Sequence, residues 1–589
     1  MKKYLITTAD EITWKFDQQS VFLGEWCRLY HRKHIWQEMD SVVAKPYSLN
    51  QSKKDADFLE IRKLEKKLFP EFYKLLNKNF DTLHSERFWQ IILGNWFRKA
   101  LELILNRVNS LKECFDLYRI SGTTVYKNRD YSLSTLDYAS FENACEDSKW
   151  NNILNARIIA LLGIFDIQTE YIENNDLYKS TNLKLATPKK SILNIILISY
   201  IKIARKFLKI DDAFIINSYL PTKEEIKLEI ALGQWPQLWR FYQNNLNLSD
   251  ITNKPDIHLR EELKNKFMNK SDHQFENITR ELLFDLLPIY YLEGFKKLKK
   301  FALQQPWPRK PKFIFTSNNY ESDEIFKIWT ASKVESGIKY FVGQHGNNFG
   351  TLKNFTPKIE EITADKFLTW GFKTLKNHTP TFIFKTVGQK KKNYNTKGGL
   401  VLIEVHRPHR FYSWDVFSDY INYFEDQKEF VNILAKDPKK KLIIRLHQAY
   451  KIFKWDEKAR WFDFDPSIKI DSGNTNIGKL ISKSRLVVHS YDSTGLLETL
   501  FQNIPTLAFW QNGFDHLENN AKPFYQKLVD AGIVHLSAKS VSDKVNDIWS
   551  DVDSWWSQNN VQEARKQFCE CYAKESQNPI YELKKILIS

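Results

Sequence analysis

Residues Ser484 to Trp510 read SRLVVHSYDSTGLLETLFQNIPTLAFW: a short apolar strand, a turn rich in hydroxyls, a helical repeat and a second strand. The turn from Ser490 to Gly495 therefore falls at a helix N-terminus, where unpaired N–H groups and the positive end of the dipole favour a phosphate or carboxylate. Ser490, Ser493 and Thr494 add hydroxyl donors, and Glu498, one turn along, is placed to accept from a ribose hydroxyl. The same residue types also make an ordinary helix cap, so the turn needs a second element before it reads as a site. That element is KLIIRLH, Lys441 to His447, another apolar strand, which ends in Arg445 and His447. Open parallel sheets hold ligands outside the carboxyl ends of their strands, so two such strands bring Arg, His, Ser and Thr to one edge. This combination predicts a phosphate or diphosphate site.

Other groups could complete a reaction. Arg407 and Arg410, in EVHRPHRF, present forked donors that suit a donor carboxylate or phosphate, although a basic surface turn would use the same residues. In GQHGNNFG, Gly343 to Gly350, the glycines allow a ligand close to the backbone and His345 is a candidate to orient or deprotonate a hydroxyl; a plain turn is the alternative. Asp323 and Glu324 are further candidate bases that would equally cap a helix.

Positioning these residues requires alternating strands and helices. Lys3 to Thr8 reads as a first strand, followed by strong helical spacing from about Asp55 to Leu111. Strands return at Ala213 to Leu220, Lys312 to Thr316 and Lys339 to Val342, with long helical stretches such as Glu224 to Asn244 and Glu276 to Gln304 between them. A second set opens near Lys366 and continues through Leu400 to Val405, Lys441 to Leu446, Ile468 to Ile470, Leu486 to His489 and Thr506 to Phe509. The alternation predicts an α/β fold of two doubly wound, Rossmann-like domains facing across a cleft, the N-terminal half carrying large helical insertions. The expected units are residues 1–355, residues 356–545, and C-terminal helices 546–589 that pack back across both.

Composition narrows the class. The 589 residues are 42% hydrophobic and 14% aromatic, ample for globular cores, and too many for one ordinary domain. A formal charge of +16 calls for an acidic partner: anionic membrane, nucleic acid or phosphorylated substrate. Five dispersed cysteines form no zinc-type pair of pairs and fit a reducing compartment. MKKYLITTADEITW turns polar too early for a signal-peptide core, and the apolar runs fall short of the ~20 residues that span a bilayer. The expected location is cytoplasmic, including a peripheral position on the inner face of a membrane.

FLGEWC (Phe22 to Cys27), GQHGNNFG, RLH (Arg445 to His447) and SYDSTGLLETL (Ser490 to Leu500) followed by NIPTLAF resemble GT-B glycosyltransferases. Within that class the likeness is to bacterial surface-carbohydrate transferases that use CMP-activated acidic sugars such as Kdo, pseudaminic acid or sialic acid. In such transferases a His-Pro pair and a Ser-rich loop hold the CMP phosphate. The resemblance gives the first role to His447, followed here by Gln448, and the second to Ser493 and Thr494, with Glu498 matching the acidic residue after the loop. It implies a CMP-sugar donor, a surface-polysaccharide or lipid-linked glycan acceptor, and no cofactor. No metal is expected, since no DxD-like motif stands near the strand ends, although Asp492 is a carboxylate within the loop. Two other readings compete: a CDP-polyol phosphotransferase of the teichoic-acid type, with a similar two-sheet architecture, and a nucleic-acid-binding protein. The charge favours the last, but no recognition motif accompanies it, so no specific nucleic acid is expected.

Overall fold

Strands such as GLVLI, LIIR and SRLVVH carry apolar residues on both faces, which demands cover on both sides and hence a parallel sheet between helices. The computed structural model describes residues 2–47, 51–127, 130–164, 167–173, 199–241, 254–269, 271–354, 357–389, 394–405, 420–450 and 456–589. Its strands form three sheets, and the registered strand pairs are parallel.

The first sheet has the order β3-β2-β1-β4-β5, with β1 Lys3–Ile6, β2 Ser20–Phe22, β3 Ser41–Val43, β4 Ile120–Tyr126 and β5 Gln168–Ile172. The second runs β10-β9-β8-β7-β6, with β6 Phe214–Ile215, β7 Phe313–Thr316, β8 Lys339–Gly343, β9 Lys366–Thr369 and β10 His378–Pro380. The third has the doubly wound order β13-β12-β11-β14-β15-β16, with β11 Gly399–Ile403, β12 Leu442–Arg445, β13 Lys469–Asp471, β14 Ser484–His489, β15 Thr506–Phe509 and β16 Val534–His535.

The α/β class and the GT-B-like pairing of two facing sheets are as expected, but the N-terminal half holds two sheets rather than one. The expected division at residues 355 and 356 also moves. The sequence places Lys366–Thr369 at the opening of the second unit, yet this strand pairs with β8 through Phe341 and Lys366, so the second sheet closes only after Pro380.

The helix Glu86–Leu117 joins the first two sheets. Ser85 caps it, its Oγ accepting from the Phe88 N–H at 3.2 Å. Leu93, Trp96, Phe97, Ala100, Leu101, Leu103 and Ile104 are fully buried, covering more than one face, as expected of a helix enclosed on several sides. It packs against the helix Gln51–Phe80 and the helix Glu324–Glu335 of the second sheet. The expected long helix Glu276 to Gln304 is instead two, Gln274–Leu286 and Phe295–Leu303, parted at Pro288, whose ring cannot continue the helix.

The C-terminal helices cross back from the third sheet to the second. Lys574 N–H donates to the Trp370 carbonyl at 2.9 Å and Ile383 N–H to the Lys574 carbonyl at 3.0 Å. Leu583 and Leu587, from the helix Pro579–Ile588, then enter a core with Phe315 and Phe341. Deleting most of a fully buried Leu side chain costs about 2–5 kcal/mol. Leu583→Ala should therefore lower unfolding free energy by that amount in urea titrations; an unchanged midpoint would mean that the last helix is not part of this core.

Candidate functional site

The carboxyl ends of β11, β12 and β14 surround a cavity of about 400 Å³. Ile403 lies in register with Arg445 on one side and His489 on the other, so the residues that follow these strands share one rim. Arg445, His447, Ser493, Thr494 and Glu498 all line the cavity, as the sequence predicts. Ser490 is not among the lining residues. Its Oγ donates to the Ile403 carbonyl at 3.0 Å and lies 2.6 Å from the Tyr423 hydroxyl, which spends it on tying β14 to β11. Arg407 and Arg410 lie outside the described residues.

Ser493 caps the helix Thr494–Phe501, its Oγ accepting from the Leu496 N–H at 3.0 Å. The cap and the cavity coincide, so the first-turn amides and the positive dipole end are presented at its wall. His447 Nδ1 accepts from the Ala449 N–H at 3.2 Å, which puts the proton of a neutral ring on Nε2. Burial, reinforced by Arg445, holds its pKa below the ordinary histidine value. Arg445 is clamped: its guanidinium pairs with Asp471 and reaches the Thr475 carbonyl at 2.7 Å and the Gly473 carbonyl at 3.2 Å. Burial opposes charge on Asp471, but hydrogen bonds from Thr475, Gly473 and Arg445 outweigh it and keep the carboxyl below its usual range. Glu498 is paired with Lys385, which reaches over from the segment after β10 at 2.7 Å.

Three cavity residues escape sequence reading. His489 is fully buried, with Nε2 3.2 Å from Thr499 Oγ1 and Nδ1 3.3 Å from Ser493 Oγ; desolvation drives its pKa down to about 3. It stands directly behind the cap. Glu404, immediately after β11, is 3% exposed. Its Oε2 accepts from Trp461 Nε1 at 3.3 Å, while Oε1 has no hydrogen-bond partner among the described residues. Burial, with like charge from Glu457 and against the Trp461 bond, raises its carboxyl to about 8. Lys385 is the third. The visible signal was a lone Glu inside the apolar run LVLIEV and a His closing RLVVH.

The GQHGNNFG loop meets this rim from the second sheet. Asn347 N–H donates to Thr494 Oγ1 at 2.9 Å, and Asn347 Nδ2 donates to Asp492 Oδ1 at 2.7 Å. A Cβ on Gly346 would stand 2.9 Å from Thr494 Oγ1, so this approach requires glycine. Asp492 Oδ2 accepts from the Tyr525 hydroxyl at 2.8 Å, so this carboxylate joins the two sheets. Among the described residues no group of three or more His, Cys, Asp or Glu side chains is arranged to hold a metal.

His345 packs against Tyr219, Tyr320 and Phe349. One ring nitrogen lies 3.2 Å from the Tyr320 hydroxyl, and a backbone hydrogen bond links the ring to Ser317; burial, then Lys358, pushes its pKa down to about 3. Asp323 caps the helix Glu324–Glu335, accepting from the Phe326 N–H at 2.9 Å and Asn319 Nδ2 at 2.8 Å. Glu324 is buried on Lys327 at 2.8 Å and Tyr291 at 2.9 Å. Both expected bases thus have structural partners. Glu321, in the same loop, keeps solvent contact, and partial desolvation with Glu360 alongside raises its carboxyl to about 7.

A doubly wound sheet with a cavity at its strand ends, met by strand-end loops of a second parallel sheet, gives a GT-B-like α/β architecture. A family model described as LIC12162 family transferase matches residues 3–587, and the chain belongs to that family. No curated protein matches it. Among solved structures, one described as a UDP-N-acetylglucosamine 2-epimerase of Listeria monocytogenes is 13% identical, covering 64% of this chain and 95% of its own, at a TM-score of 0.34. A variant of the wall teichoic acid polymerase TagF is 8% identical over 67% and 94%, at 0.30. The glycotransferase of kitacinnamycin is 10% identical over 64% and 99%, at 0.33. At these scores the likenesses carry no part of the functional reading. Among the described residues no helix is long and apolar enough to cross a membrane.

Glu404 makes the site's pH behaviour testable. Its folded pKa of about 8 exceeds the unfolded value of 4.5, so the stability it contributes is full below that lower value and is lost as pH rises through the upper one. Glu404→Gln removes this dependence. The variant's stability should gain on the native chain by about 1.4 kcal/mol per pH unit between about pH 5 and 8. Parallel urea-unfolding profiles of the two proteins over that range would exclude a buried, protonated Glu404.

Proposed function

We propose that this transferase moves a sugar from a nucleotide-activated donor, specifically a CMP-activated acidic sugar, to a surface-polysaccharide or lipid-linked glycan. The observation that carries this reading is the coincidence of a helix N-terminus, the His447 imidazole and a nucleotide-sized cavity on one doubly wound rim. In it the donor phosphate lies against the amides at Thr494 and Gly495, with the proton on His447 Nε2 directed to a phosphoryl oxygen. Donors fixed in place before the reaction stabilise charge as it grows on the departing CMP. The anomeric C–O bond to phosphate breaks, the acceptor oxygen bonds to the anomeric carbon, and its proton passes to a base. Glu321, with a carboxyl near 7, suits the role first expected of Asp323 or Glu324, and His345 positions the same loop through Tyr320.

Protonated Glu404 also matters here, because an ionised carboxylate beside a bound phosphate would repel it. Arg445, His447 and His489 share its cavity wall and Glu457 packs behind it. The two histidines are already neutral at pH 7, given their lowered pKa values, so the alkaline response falls to Glu404. CMP affinity should drop about tenfold between pH 7 and 9 for a carboxyl titrating near 8 that binds ligand only when protonated. Glu404→Gln should flatten that fall.

The direct test measures CMP binding and transfer on a folded His447→Ala protein. Loss of a charge-assisted contact is worth about 1.5–3 kcal/mol, so CMP affinity should fall by an order of magnitude or more, and unchanged affinity would sink the assignment. Turnover of a CMP-nonulosonate but not CDP-glycerol is the expected donor preference; the reverse would make the protein a polyol-phosphate transferase.

A further inference from the structure

Large apolar side chains exposed on this protein are mostly scattered, but Ile203, Phe207, Ile210, Ile230, Trp235 and Phe241 crowd into the chain just before and after the edge strand β6. Phe207 and Trp235 are 52% and 44% exposed and stack on each other with ring centroids 4.8 Å apart. Trp235 follows the helix Thr222–Ala231, which ends beside Ile230, and the two segments are tied where Tyr200 donates to the Pro236 carbonyl at 2.9 Å and Arg205 to the Gln237 carbonyl at 3.0 Å. Stacked aromatics that stay about half exposed are costly in water and mark an interaction surface.

The charges around them are sorted by depth. Lys202, Lys206, Lys209 and Lys223 are exposed. Asp212, Glu224, Glu225 and Glu229 are buried at 4% exposure or less, which leaves Asp211 as the exposed carboxylate among the described residues of this span. The outward surface is therefore aromatic and basic, with its acids withdrawn. Aromatic rings favour the boundary between lipid headgroups and acyl chains, and lysines beside them are drawn to anionic lipid.

We propose that this surface at the β6 edge of the second sheet docks the protein on an anionic lipid bilayer. Its location serves a lipid-linked acceptor, and so rests on the transfer reading for its purpose, but it does not depend on the nucleotide chemistry. Phe207 and Trp235 enter the headgroup boundary, while the lysines meet lipid phosphates around them.

The full chain, mixed with phosphatidylcholine vesicles or with vesicles holding a third phosphatidylglycerol, tests this by co-sedimentation. Binding should require the anionic lipid and weaken steeply between low salt and physiological salt, where screening shortens to about 8 Å. Phe207→Ser/Trp235→Ser should weaken it at least tenfold. The triple change Lys202→Glu, Lys206→Glu, Lys209→Glu, confined to exposed side chains, should do the same even if the aromatic variant misfolds. CMP affinity should stay unchanged in both, so loss of CMP binding by the native chain would defeat the transfer reading while leaving this one standing. Native-like vesicle binding by the folded triple variant would overturn the proposal. So would a native dimer that either variant converts to monomer without altering vesicle binding, since that would assign the surface to a second copy of the chain.

Discussion

Asp492 holds the architecture together. With 7% of its surface exposed, it accepts from Asn347 of the second sheet's loop and from Tyr525 of the third sheet's own helix. Leaving either donor unsatisfied in such a place costs about 1–3 kcal/mol, so the two sheets have one favourable relative placement rather than a range. The seam continues beyond it: Lys353 N–H donates to the His516 carbonyl and Glu518 N–H to the Thr351 carbonyl, both at 2.8 Å. A loop that looks like a ligand-binding turn in isolation is thus chiefly a lock. It also holds His345, with Tyr320 and the neighbouring Glu321, in a set place relative to the helix Thr494–Phe501.

Burial sets the electrostatic character of the cavity. Its histidines are kept neutral by burial, its deepest carboxyl is kept protonated, and its two cations, Lys385 and Arg445, are each balanced by a partner. Among the described residues, what remains uncompensated is the field of the helix end and the N–H groups around it. Fixed dipoles of this kind favour negative charge.

Much of this was legible in the chain. Strands β7, β8, β11, β12, β14 and β15 are marked by apolar, β-branched runs ended by polar loops, and their strand-end residues fall in or beside the site as read. The first sheet was largely hidden, because β2 and β3 have three residues each and ISGTTVY is interrupted by Gly and hydroxyls, so neither offers a period to detect. The roles of single residues were less accessible than their location. Ser490 is of a type that suits phosphate binding, and Asp323 and Glu324 suit catalysis, and only their three-dimensional partners show that they are engaged elsewhere. Glu404 and Lys385 come from segments with no motif, and their relevance follows from which strand lies at the centre of the sheet.

The return of the C-terminal helices gives the molecule two separate covalent spans between the second and third sheets, one leaving after Pro380 and one coming back through Lys574. A single span acts as a swivel and leaves rotation about several axes. Two spans side by side act like the paired pins of a door, restricting relative motion to a swing about the line through them. Thr494 and Asn347 are hydrogen-bonded between the same two sheets, so any such swing must break that bond.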